Sequence, residues 1–159
     1  MVNLKQLFTA AFVLFGWAGF AQAADNLVTK KSAHPFTQTL DRLESSAKAN
    51  GLVVFTRIDH AAAAKAAGLQ MPPATVLVVG NPRGGTPQFL EHPTLAIDLP
   101  LKMLVWQNQT GEVSVSYNTA AFTTATLARH GFDAMSEKLL NEAKATETKL
   151  AVVADEAVK

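Results

Sequence analysis

The chain has 159 residues, of which 48% are hydrophobic and 17% are charged, and its formal net charge is +1. This balance excludes an intrinsically disordered polar chain and a basic nucleic-acid-binding arm. The sequence contains no cysteine, which excludes a disulfide framework and a lipoprotein anchored through a cysteine at its cleavage site. The length fits one small domain that is stabilised by core burial.

The N-terminus has the layout of a secretory signal peptide. Lys5 precedes an apolar run at residues 7–15, and Ala21-Gln22-Ala23 is the small-residue pattern that a signal peptidase accepts. The run is shorter than the ~20 residues of a membrane span. We therefore predict a signal peptide at residues 1–23 and a periplasmic or secreted mature chain without a membrane anchor. Its side-chain charges balance once Lys5 is removed, so attraction to nucleic acid or anionic lipid is not expected.

The next segment predicts a strand, a helix and a second strand. The first strand spans residues 27–31, and the helix that follows has an apolar face formed by Phe36, Leu40, Leu43 and Ala47. Asn50-Gly51 supplies the left-handed end of this helix. Residues 52–58 are β-branched and nearly all apolar, which predicts a strand covered on both faces.

The middle of the chain alternates helices and strands. Asp59 can cap a short Ala-rich helix over residues 60–67, and residues 74–79 form a second apolar strand. Thr86-Pro87 has the composition of an N-cap and first helical residue, which predicts a helical stretch from Gln88 to Ile97 that Pro93 interrupts.

Two further strands and a helix complete the predicted domain. Residues 101–107 and 112–117 alternate in polarity around Asn108-Gln109-Thr110-Gly111, which predicts an antiparallel hairpin. Asn118 can cap the next helix, which ends at Gly131. The order β-α-β-α-β-α-β-β-α predicts a single α+β domain (two-layer α/β) over residues 24–131, with a mixed sheet.

Residues 132–159 differ from the rest in being rich in charge and thin in large apolar side chains. Met135, Leu139 and Ala143 recur at helical spacing. We predict a helical C-terminal tail that docks loosely on the domain or frays, in preference to a partner-binding helix.

Four separate blocks give the chain a recognisable pattern. They resemble, in order and spacing, the domain-of-unknown-function family 302 over roughly residues 27–131. The blocks are Phe55-Thr56-Arg57-Ile58-Asp59-His60-Ala61-Ala62-Ala63-Ala64, Gly80-Asn81-Pro82-Arg83-Gly84-Gly85-Thr86-Pro87, Asp98-Leu99-Pro100-Leu101 and Val115-Ser116-Tyr117-Asn118. The resemblance implies a small α/β domain, often exported in bacteria and able to form a homodimer. It implies no established reaction, ligand or catalytic residue.

A glycine-rich turn is the strongest candidate for ligand binding. Residues 80–86 follow an apolar strand and precede a predicted helix start, where backbone N–H groups and Arg83 can attract a small anion. The same turn also fits a simple helix cap, so both interpretations stay open. We expect Asp59 and His60 to lie near this turn. The candidate ligand-binding residues are therefore Asp59, His60, Asn81, Arg83, Gly85 and Thr86.

No motif in the sequence identifies a reaction. The four histidines are scattered singly, so no metal site is predicted, and no cofactor loop or G-x-S-x-G nucleophile is present. These observations favour a non-enzymatic periplasmic module that binds a ligand or another protein. The alternative is an enzyme of unrecognised type that uses Asp59, His60 and Asp98 in one cleft.

Overall fold

The structure is a computed structural model that describes residues 26–159, so the predicted signal peptide lies outside the described residues. Within this range the strands are β1 (Leu27–Lys31), β2 (Val53–Asp59), β3 (Ala74–Gly80), β4 (Leu101–Gln107) and β5 (Val113–Asn118). The helices are α1 (Phe36–Ala49), α2 (His60–Ala66), α3 (Pro82–Glu91), α4 (Ala120–Arg129) and α5 (Glu137–Val158). A short 3-10 helix spans Pro93–Ile97 between α3 and β4. The predicted order of elements is confirmed, and the chain forms a single α+β domain.

The described strands form one sheet in the order β1-β5-β4-β3-β2, and every neighbouring pair is antiparallel. The prediction of a mixed sheet is therefore wrong. Asp59 pairs with Thr75, so α2 joins two strand ends that lie side by side. A helix between two strands is typical of a parallel crossover, but α2 connects β2 to the antiparallel neighbour β3.

The main core lies between the sheet and the helices α1 and α5. Alternate residues of the central strands point into it, including Leu77, Val79, Met103, Val105 and Val115, all of which are fully buried. Helix α1 contributes its predicted apolar face through Leu40, Leu43 and Ala47. Gly51, with φ of 75°, then ends α1 in the left-handed conformation that the sequence indicated.

Strand β2 is an exposed edge of the sheet. Val53, Phe55 and Ile58 are 45%, 50% and 44% exposed, so the prediction that this strand is covered on both faces is wrong. The register with β3 shifts between Val54 and Thr56, and such an irregularity hinders pairing with another strand edge. An apolar run predicts a strand but does not show where the strand lies in the sheet.

Helix α5 is an integral part of the domain. Leu150, Val153, Ala154, Ala157 and Val158 are buried in the main core. The prediction of a loosely docked tail over residues 132–159 is therefore wrong, as is a domain boundary at Gly131. Small alanine and valine side chains allow α5 to pack closely against α1, so the burial of α5 does not require large residues.

A smaller second core forms beyond the end of the sheet. Leu95 of the 3-10 helix, Leu127 of α4 and Leu139 of α5 are buried together, with Phe89, Leu99 and Phe132 packed against them. The N-terminal half of α5 belongs to this second core and its C-terminal half to the main core. Among residues 26–159, no helix combines the length and apolar character needed to cross a bilayer.

Candidate functional site

A cleft of about 580 Å³ lies where the main core meets the second core. Its walls come from the ends of β3, β4 and β5, from Phe55 of β2, from α3, the 3-10 helix and α4, and from the middle of α5. Its volume falls in the range of about 300 to 1,000 Å³ that is typical of small-molecule sites.

The lining of the cleft is largely apolar with a few polar groups. Three aromatic rings face it together with aliphatic side chains from both cores, and the apolar set includes Leu52, Phe55, Phe89, Leu95, Phe122, Leu127 and Leu150. Ionisable groups at the cleft are Asp98, Lys102, Glu142 and Lys149. Such a surface can hold an apolar body and orient it through a small number of polar contacts.

Gly80 allows the ring of Phe55 to approach the end of β3. Phe55, Phe89 and Phe122 together form the aromatic wall of the cleft. A Cβ atom added at Gly80 would lie 3.2 Å from the Phe55 ring and 3.3 Å from the Pro100 side chain. These distances are shorter than ordinary van der Waals contact, so a larger residue would displace the ring. The glycine therefore shapes the cleft by close packing.

Asn81, and not Thr86, caps α3. Its side-chain oxygen accepts the N–H of Arg83 at 3.1 Å, and its carbonyl oxygen accepts the N–H groups of Gly84 at 3.0 Å and Gly85 at 2.9 Å. The first amides of the helix are thus already bonded, which removes the geometric basis for the predicted anion-binding turn. Asn-Pro at this position was the stronger start signal, because Pro82 suits the first turn.

The sequence-predicted site residues divide into two groups at opposite ends of the β2–β3 ladder. Asn81 and Gly85 line the cleft, whereas Arg83 and Thr86 are exposed beside it. Asp59 and His60 lie at the far end, where Asp59 accepts the N–H of Ala62 at 2.9 Å as the predicted helix cap. The expectation that Asp59 and His60 lie near the glycine-rich turn is wrong.

Asp98 lies in the cleft and pairs with a histidine that sequence reasoning did not connect to it. Its Oδ2 lies 2.6 Å from Nε2 of His130 and 3.4 Å from Nε of Arg129. The other ring nitrogen of His130 lies 2.9 Å from Oγ1 of Thr94. The constellation of Asp59, His60 and Asp98 does not exist. The contacts observed instead fix the 3-10 helix to the end of α4.

The environment of Asp98 predicts a dependence of stability on pH. The hydrogen bond from His130 and the positive charge of Arg129 lower the pKa of the Asp98 carboxyl below its ordinary value of 3.8. A carboxyl with a lowered pKa stabilises the folded state above its unfolded pKa and loses this effect as pH falls through the folded value. We expect Asp98→Asn to lower Tm near neutral pH, and the difference from the wild type to shrink below pH 3.8.

Thermal unfolding measured across this pH range tests the prediction. Glu91→Gln is a suitable control, because Glu91 is an exposed residue of α3 and does not line the cleft. A difference in Tm between Asp98→Asn and the wild type that stays constant as the pH falls below 3.8 would contradict the role assigned to the Asp98 carboxylate.

A second, wide depression beside α1 is less suited to a ligand. Its polar groups bond across the interface between α1 and α5: Arg42 donates to the carbonyl oxygens of Glu156 and Ala157, and Ser46 donates to the Glu156 carboxylate. Among the described residues, no three histidine, aspartate or glutamate side chains are placed to hold a metal ion.

The aromatic wall and Lys149 were missed at the sequence level. Phe55 was assigned to a buried strand, and Lys149 to a tail without a defined packing partner. The spacing of Leu150, Val153, Ala154, Ala157 and Val158 is the one local signal that could have revealed how α5 packs, since these residues recur at three- and four-residue intervals.

Residues 28–157 match the family described as domain of unknown function DUF302. The chain belongs to this family. The match includes nearly all of α5, in agreement with the burial of that helix. A crystal structure of an uncharacterized conserved DUF302 protein from Bacillus stearothermophilus has the same fold, with a TM-score of 0.69 and 22% identity, and the similarity covers 82% of this chain and 97% of that one.

This DUF302 chain is also similar to part of longer proteins from Brucella. It is 38% identical over 114 residues to fluoride-specific ion channel FluC 1 of Brucella suis, which covers 71% of this chain and 45% of the relative. The protein of the same name from Brucella abortus matches equally, with 42% of its length covered. The chain thus spans less than half the length of these relatives.

Proposed function

We propose that this DUF302 domain is a non-enzymatic module that binds a small amphipathic molecule in the cleft between its two cores. The observation that carries the proposal is a cavity of ligand size with three aromatic rings in a mostly apolar wall. An apolar ligand surface would replace water along that wall, which supplies the main driving force for binding.

Binding is favoured over catalysis because the imidazole bonded to Asp98 lies outside the cleft lining, and the three residues of the enzymatic alternative do not meet. His130 is bonded to Asp98 through one ring nitrogen and to Thr94 through the other, and neither His130 nor Thr94 lines the cleft. Asp59 and His60, on which the enzymatic alternative depended, lie away from Asp98. The Asp98–His130 pair therefore acts in this proposal as a support for the wall.

The proposal places the mature chain in the periplasm or outside the cell as a homodimer. The order of charged, apolar and small residues at the N-terminus supports export. The exposed apolar side chains on the faces of β2, such as those of Val53 and Ile58, support association with a second copy without pairing of strand edges. Fluoride conduction is named for Brucella proteins of which this chain covers less than half, and it is not part of the proposed function.

A fluorescence titration with anilinonaphthalene sulfonate, an aromatic probe, tests cleft binding. Phe122 lines the cleft and is 42% exposed, so Phe122→Ala removes a wall contact with little effect on folding. We expect this variant to raise the Kd for the probe about fivefold, which corresponds to a lost contact of ~1 kcal/mol.

Leu90→Ala is the matched control, because Leu90 is a 79% exposed apolar residue of neighbouring α3 and lies outside the cleft. Its Kd should equal that of the wild type. Absence of saturable binding to the wild type, or equal effects of the two substitutions, would contradict the proposed function.

A further inference from the structure

Three of the four ionisable side chains at the cleft have partners. Asp98 bonds to His130, and Glu142 lies 4.0 Å from Lys138. The Lys102 ammonium donates to the carbonyl oxygens of Asp98 at 2.8 Å and Pro100 at 3.2 Å. These interactions partly satisfy each group before any ligand enters the cleft.

Lys149 differs from these three groups. Its ammonium makes no hydrogen bond or ion pair with any residue between Asn26 and Lys159. The nearby lysine on the same helix, Lys144, pairs with Glu147 at 3.3 Å, and Glu147 also accepts the N–H of Ala120. Lys149 is thus an uncompensated positive charge in the cleft wall.

The spacing along α5 keeps this charge distinct from the acidic side of the cleft. Glu142 precedes Lys149 by seven residues, which is about 10 Å along a helix. No ion pair joins the two side chains, and Glu142 lies beside Lys138 instead. With a Debye length of about 8 Å at physiological salt, charges on positions so far apart interact only weakly. An anionic group close to Lys149 would meet an attraction that Glu142 does not cancel.

We infer that the cleft selects an organic anion, whose carboxylate, sulfonate or phosphate pairs with Lys149 while its apolar body lies against the aromatic wall. This inference rests on the proposed function and adds the charge of the ligand. The anion is now expected at a side chain of α5. The amides at the start of α3, where the sequence predicted it, are bonded within the turn.

Two probes that share their aromatic rings test the inference. Anilinonaphthalene sulfonate carries one negative charge, and N-phenylnaphthylamine is the uncharged counterpart. We expect Lys149→Gln to weaken binding of the sulfonate about three- to fivefold, the effect of one partly screened ion pair, and to leave binding of the neutral probe unchanged. Added salt should weaken only the sulfonate complex.

Lys65→Gln is the matched control, since Lys65 is an exposed lysine of α2 outside the cleft. It should change neither Kd. If Lys149→Gln weakens both probes equally, or neither, the inference about charge is overturned while binding in the cleft stands. If neither probe binds the wild type saturably, the proposed function fails together with the inference.

Discussion

Removal of residues 132–159 should abolish cooperative folding. The truncation takes away α5, whose buried residues supply one side of the main core and Leu139 of the second core. Each fully buried leucine or valine contributes about 1.5–3 kcal/mol, so the loss is comparable to the whole stability of a small domain, about 5–15 kcal/mol. This expectation reverses the one from the sequence, which predicted a tail that docks loosely on the domain or frays.

Circular dichroism during thermal unfolding measures the effect of the truncation. The control is removal of Lys159 alone, an exposed residue that follows the last turn of α5. We expect the control to unfold cooperatively close to the wild-type Tm and the truncated chain to show no cooperative transition. A truncated chain that unfolds within a few degrees of the wild type would contradict the assignment of α5 to the core.

Leu95→Ala should destabilise the protein by about 2–5 kcal/mol, the usual cost of truncating a fully buried leucine. Leu95 has no exposed surface and joins the 3-10 helix to α4 and α5 in the second core. Because the second core forms one wall of the cleft, the same substitution should also weaken probe binding.

Chemical denaturation of Leu95→Ala beside Leu90→Ala measures this cost. The two leucines lie five residues apart, but Leu90 is 79% exposed, so its substitution should change the free energy of unfolding by less than about 0.5 kcal/mol. Equal effects of the two substitutions would show that the second core does not stabilise the domain.

Local features of the fold could be predicted because their causes are local. Asp59 caps α2, Gly51 ends α1, and the turn at Asn108 to Gly111 joins β4 to β5, in each case through the residue type that the backbone requires. The start of α3 was misplaced because two Pro-containing signals compete over six residues, and Asn81-Pro82 forms the cap. Similarly, Thr119 and not Asn118 caps α4.

The cleft could not be predicted because its residues meet only after the chain has folded. Asp98 and His130 are 32 residues apart, and neither belongs to a recognised motif. The apolar run of β2 indicated burial, yet its position at the edge of the sheet leaves Phe55 half exposed beside the cleft. Sheet order and edge exposure depend on long-range pairing, which hydrophobic periodicity does not encode.

The most direct test of cleft binding is an NMR titration of the ¹⁵N-labelled protein with anilinonaphthalene sulfonate. We predict saturable amide shifts that cluster at cleft residues of three different elements, including Gly85 of α3, Thr126 of α4 and Thr146 of α5, while the amides of Asp59 and His60 stay in place. Shifts confined to the edge of β2 or spread over the whole surface would contradict the account, as would the absence of saturable shifts.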